Sequence, residues 1–260
     1  MKKALFLSIV LVLFSVIGYS GYRLWGIHSS NAQEAQMHNA LMQYHPLLHS
    51  AVSVEDAADN SVGFLSDTVS APQVINQGVV ELQAEFPSVV GWLMIPNTGI
   101  DYPFVQGPDN AHYLHLDLNQ NQSAAGTIFM DYRNSRDFND FNTIIYGHHM
   151  RSGSMFGTMQ HFNNQNFFEA NRTGTIFLSD ATYEIEFIAF AVIKPNDAVI
   201  FDPEIAEDAE RTEFLEHVRS TARYYREVEV TENDRIVTLS TCNYEFDNAR
   251  MVLVGRIVCD

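Results

Sequence analysis

With 260 residues, 46% of them hydrophobic and 18% charged, the chain can build one packed core plus an appendage, which excludes global disorder. Its formal net charge is −17, and Lys2, Lys3 and Arg23 all precede the first acid, so the body is more acidic still. Such a body repels phosphate backbones and anionic lipid heads, and two cysteines cannot make a disulfide framework or a cysteine-rich zinc module.

Lys2-Lys3 is followed by the uncharged run Ala4 to Tyr22, rich in Leu, Val, Ile and Phe. As a helix rising ~1.5 Å per residue it nearly covers the ~30 Å hydrocarbon core of a bilayer. Two lysines before it and one arginine after it favour an inside N-terminus and an outside body. Tyr19, Tyr22 and Trp25 suit an interfacial belt. The run exceeds the ~7–15 apolar residues of a cleaved signal peptide, so residues 1–26 read as an uncleaved signal-anchor. No cysteine lies near it, which excludes a lipid-modified N-terminal Cys.

Residues 27–71 are polar and contain His28, His38, His45 and His49. Only the last two stand at helical reach, so the segment reads as a solvated stalk with a short helix broken near Pro46, not as a metal site. A second helical stretch, Pro72–Phe86, ends at Pro87. From Val89 the pattern changes to short strands: Gly91–Ile95, Ile100–Gln106, Thr127–Asp131, Thr143–Gly147, Thr175–Ser179, Tyr183–Ile193, Arg235–Cys242 and Arg250–Val258. Turn signals stand at Asn97-Thr98-Gly99 and at Asn171-Arg172-Thr173-Gly174. One amphipathic helix, about Ala209–Glu227, interrupts the series with Phe214, Leu215, Val218, Ala222 and Tyr225 on one face. Eight strands and one late helix predict a mainly β protein, a closed eight-stranded barrel with helical decoration.

Cys242 ends the apolar run Ile236-Val237-Thr238-Leu239-Ser240-Thr241 and precedes polar Asn243-Tyr244-Glu245. Taken alone, it reads first as a small buried hydrophobe. His148 and His149 follow Thr143-Ile144-Ile145-Tyr146-Gly147; neighbours on a strand face opposite ways, so only one of them can serve a given site. Arg250 opens the last strand. Together a thiol, an imidazole and a fixed cation form a usable nucleophilic set, in which a neighbouring cation makes the thiolate available. Cys259 lies nine residues beyond Arg250, roughly 30 Å at ~3.3 Å per residue, and reads as structural.

These motifs, in this order, resemble the sortases of class B. Thr238-Leu239-Ser240-Thr241-Cys242 matches the family's nucleophile motif, with Arg250 eight residues on. Ile145-Tyr146-Gly147-His148-His149 looks like the segment bearing its catalytic histidine, here His148. Gly91–Pro96, Ile100–Pro103 and Ala125–Asn134 are further matches, so the resemblance spans about residues 72–258, within a catalytic domain of 72–260.

The resemblance implies a transpeptidase on the outer membrane face of a Gram-positive bacterium, with a sortase-type barrel. By that analogy Cys242 attacks the Thr carbonyl of a C-terminal sorting motif in secreted proteins, and a cell-wall precursor peptide amine resolves the thioester. His148 serves as general acid and then base, and Arg250 holds substrate and oxyanion. Asn110, Leu114, Tyr146 and Ser240 correspond by position to substrate-groove residues. The resemblance implies no cofactor and no metal, and the acidic body argues against a nucleic-acid partner; the membrane is met through the N-terminal helix. Asn243 departs from the glutamate that can follow the cysteine, which leaves the sorting motif open between Asn-Pro-x-Thr-Asn-like and Pro-x-Thr-Gly-like forms. A pilus polymerase with a pilin lysine as acceptor stays open as well, as does a non-catalytic wall-binding module. Papain-like hydrolases place Cys before His, the reverse of this order, and the SxGC signature of L,D-transpeptidases is absent.

Overall fold

Among the described residues (2–48, 74–242 and 249–258) of the computed structural model, four α-helices and nine strands carry the fold. The helices are α1 (Lys2–Leu41), α2 (Gln77–Glu85), α3 (Gln165–Ala170) and α4 (Asp208–Thr221). The strands are β1 (Val89–Met94), β2 (Asp101–Gln106), β3 (Phe129–Met130), β4 (Asn142–His148), β5 (Thr173–Phe177), β6 (Thr182–Ile193), β7 (Tyr224–Tyr225), β8 (Ile236–Cys242) and β9 (Arg250–Val258). Two compact units result, Met1–Ala40 and Leu41–Asp260.

The first unit is α1, whose apolar side chains from Leu11 to Ile17 point outward on every face. Among the described residues, no helix is long and apolar enough to cross a membrane. The anchor expected over residues 1–26 therefore rests on the sequence.

In the second unit the strands run β5-β1-β2-β3-β4-β8-β9-β6, and β6 pairs back onto β5 to close an eight-stranded barrel. The two-residue β7 lies outside this ring, on β6. β2–β3 and β4–β8 are parallel and the other pairings antiparallel, so the barrel is mixed. Period-two alternation divides the apolar side chains between two layers. Val237, Leu239, Leu253 and Ile257 join Leu93, Phe104, Ile145 and Phe187 inside the barrel. Ile236, Val252 and Val254 point the other way and pack with Phe214 and Val218 of α4.

All eight expected strands are present. The helices are shorter than the sequence suggests, for identifiable reasons. α2 begins only at Gln77 because Asn76 spends its amide on Leu178 O, Ala181 O and Thr182 Oγ1, stapling the helix entry to the β5–β6 turn. Pro72 lies outside the described residues. α4 starts with a reciprocal capping box between Glu207 and Glu210, but leaves helical geometry at Ala222, where ψ is 134°. Beyond it Arg223 N and Arg226 N donate to Phe190 O and Ile188 O, so the edge of β6 captures the backbone. Ala222 and Tyr225 still pack beneath α4. Their spacing recorded burial, not helix.

The polar stretch after residue 27 also differs from a solvated stalk with one short helix. α1 continues to Leu41, and 3₁₀ turns follow at Met42–Tyr44 and Pro46–Leu48. His45 is only 6% exposed; it donates to Asp101 Oδ1 at 3.0 Å and meets the Trp92 ring edge-on at 5.2 Å. His49 lies outside the described residues.

Candidate active site

Strand register brings the three candidate chemical positions together. In the parallel β4–β8 pair, His148 stands directly opposite Cys242, and Tyr146 opposite Ser240. Neighbouring strands lie about 4.8 Å apart, so positions 148 and 242 are adjacent. β8 and β9 pair through Ser240 and Val252, and that antiparallel register continued outward brings Arg250 level with Cys242. Arg250 Nη1 donates to Thr241 O at 2.9 Å, and buried Thr241 accepts Met251 N–H on Oγ1 at 3.1 Å. The guanidinium is thereby tied to the residue before the cysteine. Cys259 lies outside the described residues, just past the far end of β9.

His148 is oriented from the β2–β3 connection. Its Nε2 lies 2.7 Å from Leu114 O, and a carbonyl only accepts, so the proton sits on Nε2 and Nδ1 is the basic atom of the neutral ring. The Leu114 carbonyl is placed by a short 3₁₀ turn, His112–Leu114, which Asp109 Oδ1 caps by accepting two backbone N–H groups at 2.8 Å. Gly126, at φ +59°, lies so close that a Cβ there would meet Leu114 O at 2.5 Å. The His115 ring lies beside that of His148, with centroids 5.8 Å apart and a 33° tilt. His149 is the next residue on the strand and forms an isolated bridge with Met155.

A cleft of about 230 Å³ is lined by Asn110, Leu114, Tyr146 and Arg250 together with Phe129, Arg133, Pro195 and Phe201. Three of the four expected groove residues therefore share one cavity with Arg250. Ser240 is not in its lining: the side chain is fully buried, and its hydroxyl has no hydrogen-bond partner among the described residues. The β6–α4 loop supplies Pro195 and Phe201, and His217 on α4 holds that loop through Asp197 at 2.9 Å.

Sequence reasoning gave no role to Asp131 and Arg133, although both fall within the quoted Ala125–Asn134 stretch. Asp131 is fully buried behind the cleft wall, and Arg133 grips it through Nε and Nη2 at 2.9 and 3.0 Å. Burial alone pushes the Asp131 carboxyl up; the Arg133 guanidinium and backbone N–H, with Asn110, outweigh it and hold the group below the usual carboxylate range. The hydrogen bonds to Asp131 in turn push Arg133 up. An acid and an arginine two residues apart, directly after a strand, are the sequence signal for this pair. Among the described residues, no cluster of three or more His, Cys, Asp or Glu could hold a metal ion.

A sortase-domain family profile matches residues 93–258. Sortase B of Listeria monocytogenes is 34% identical over 262 aligned positions, covering 99% of this chain and 98% of the relative. The structure of sortase B from B. anthracis in complex with AAEK1 superposes with a TM-score of 0.75 at 27% identity, over 90% of this chain and all of that one. A Staphylococcus aureus sortase B–substrate complex gives 0.74 at 26% identity, over 88% and 98% of the two chains.

Proposed function

The chain belongs to the class B sortases, which are cysteine transpeptidases, and from that premise we propose that it anchors secreted proteins to the cell wall at the membrane's outer face. The observation that carries the mechanism is the register: position 148 opposite position 242, with Arg250 on the next strand.

A free cysteine thiol has a pKa of about 8.5, and a nearby cation raises the thiolate fraction. The Cys242 thiolate attacks the carbonyl carbon of the motif's Thr, and the electron pair moves to oxygen. Arg250 steadies that oxyanion through a charge-assisted hydrogen bond. Collapse of the intermediate breaks the C–N bond, and His148, which holds on Nδ1 the proton taken from the thiol, passes it to the departing amine, leaving a Cys242 thioester. An incoming wall-peptide amine gives its proton to His148, attacks the thioester and expels the thiolate. The new peptide bond carries the secreted protein.

The cleft beside this register, lined by Leu114, Phe129, Tyr146, Pro195 and Phe201, suits a peptide side chain, and the S. aureus relative has been seen in a complex with its substrate. Membrane attachment through residues 1–26 is supported by Lys2-Lys3, the uncharged Ala4–Tyr22 run and the outward apolar side chains of α1. Incubating the full chain in detergent with quenched sorting-motif peptides tests the proposal, with Cys242→Ala as control. Cleavage after Thr by the parent alone is expected. Equal cleavage by Cys242→Ala contradicts the nucleophile assignment.

A further inference from the structure

Among the groups around the cleft, Asp131 touches most of its walls without lining it. Asp131 follows β3 and accepts five hydrogen bonds. Oδ1 takes Arg133 N–H at 3.1 Å and Arg133 Nε at 2.9 Å. Oδ2 takes Arg133 Nη2 at 3.0 Å, Asn110 Nδ2 at 2.9 Å and the Tyr146 hydroxyl at 3.1 Å. The donors come from the β2–β3 connection, the turn after β3, and β4. Arg133 extends the set to the β6–α4 loop, donating from Nη2 to Phe201 O at 3.2 Å. Asn110, Arg133, Tyr146 and Phe201 all line the cleft.

We propose that Asp131 is the positioning residue of the peptide groove. One buried carboxylate sets the spacing of Asn110, Tyr146 and Arg133 and, through Arg133, of the Phe201 wall. The reading rests on the cleft being the peptide groove.

Chemistry restricts the position to a carboxylate. Only an ionised acid offers two oxygens that accept and nothing that donates, which five converging donors require. An asparagine offers one acceptor oxygen and turns an NH₂ toward one donor set, leaving partly buried donors unpaired. The amide of Asn110 is fixed at its other end as well, since Oδ1 accepts Tyr132 N–H at 3.1 Å. Asp131 therefore decides which face of that amide the groove presents. Among the described residues, none of the five hydrogen bonds that Asp131 accepts comes from position 148 or 242, so disturbing it acts on substrate fit ahead of the chemical step.

The test uses the full chain, a sorting peptide that the parent cleaves, and iodoacetamide labelling of Cys242 followed by mass spectrometry. For Asp131→Asn, KM rises about tenfold or more, the effect of losing charged hydrogen bonds, while kcat falls less than about threefold and the Cys242 labelling rate holds. A parent-like KM overturns the inference. So does an equal fall in labelling and turnover, which marks general disruption. If Asp131→Asn does not fold, Arg133→Lys decides: it keeps the charge at a partly exposed site and loses the planar fork. Its KM rises about three- to tenfold, and a parent-like value overturns the inference. Phe201→Ala separates the two readings. A raised KM there with a parent-like Asp131→Asn sinks the positioning role alone. Parent-like values in both remove the groove reading with it.

Discussion

At the scale of single residues, the candidate base is aimed by a backbone carbonyl 34 residues upstream. That carbonyl stays in place because position 126 has no Cβ. An alanine at φ +59° costs about 1–2 kcal/mol of backbone strain and also displaces the Leu114 carbonyl. Gly153 gives a control, since its φ is +89° but a Cβ there meets only Thr158 Cγ2 at 3.6 Å. Gly126→Ala and Gly153→Ala are both expected to lower the thermal midpoint, while only Gly126→Ala loses peptide turnover. Equal turnover losses in the two variants contradict the assigned route from Gly126 to His148. A histidine pair closing an apolar strand was legible in the sequence, and the resemblance implied His148 of the two. Its carbonyl partner was not, because nothing local to residue 148 points to residue 114.

At the scale of elements, the strands were legible and the helix ends were not. Alternation along β8 and β9 is an intrinsic consequence of strand geometry and shows in the sequence. The end of α4 depends on a backbone competition with β6, and the start of α2 on Asn76 reaching the β5–β6 turn, neither of which has a local signature. The segment Leu41–Leu48 makes the same point more strongly. His45 looks like one of four solvated histidines until Asp101, 56 residues away, is placed against it. Asp101 Oδ1 accepts from both His45 Nε2 at 3.0 Å and Trp92 Nε1 at 2.7 Å, while Leu47 N donates to His45 Nδ1 at 3.2 Å. One carboxylate oxygen thus joins the segment to β1 and β2. Asp101→Asn is expected to cost about 1–3 kcal/mol in denaturant unfolding, because two partly buried donors then share a poorer acceptor. An unchanged midpoint would show that the segment's apolar contacts hold it unaided.

At the scale of the whole molecule, an excess of acid coexists with a few carboxylates that the fold keeps ionised. Asp131 lies below the usual carboxylate range for the reasons given above. Burial would raise Glu186, but hydrogen bonds from Arg256 and Arg172 lower it overall. A carboxyl depressed in the folded state is protonated first in the unfolded chain, where its pKa is about 4. Its stabilisation is therefore present above that pH and lost as pH falls through the folded value. Approach to the isoelectric point near 4.8 meanwhile relieves self-repulsion. The thermal midpoint should thus hold from pH 7 to about 5 and fall below about pH 4, with a shallower fall in Glu186→Gln. A decline that begins above pH 6, or an unaltered slope in that variant, contradicts this assignment.

We propose that one register pair, His148 against Cys242, performs the acyl transfer. Its most direct test is mass-spectrometric detection of the peptide thioester on Cys242 during turnover, compared across the parent, His148→Ala and His149→Ala. The adduct is expected at comparable rates in the parent and His149→Ala. In His148→Ala its rate falls by about 10²–10⁴-fold, the usual contribution of a positioned acid–base group. Normal acylation in His148→Ala with failure in His149→Ala would contradict it.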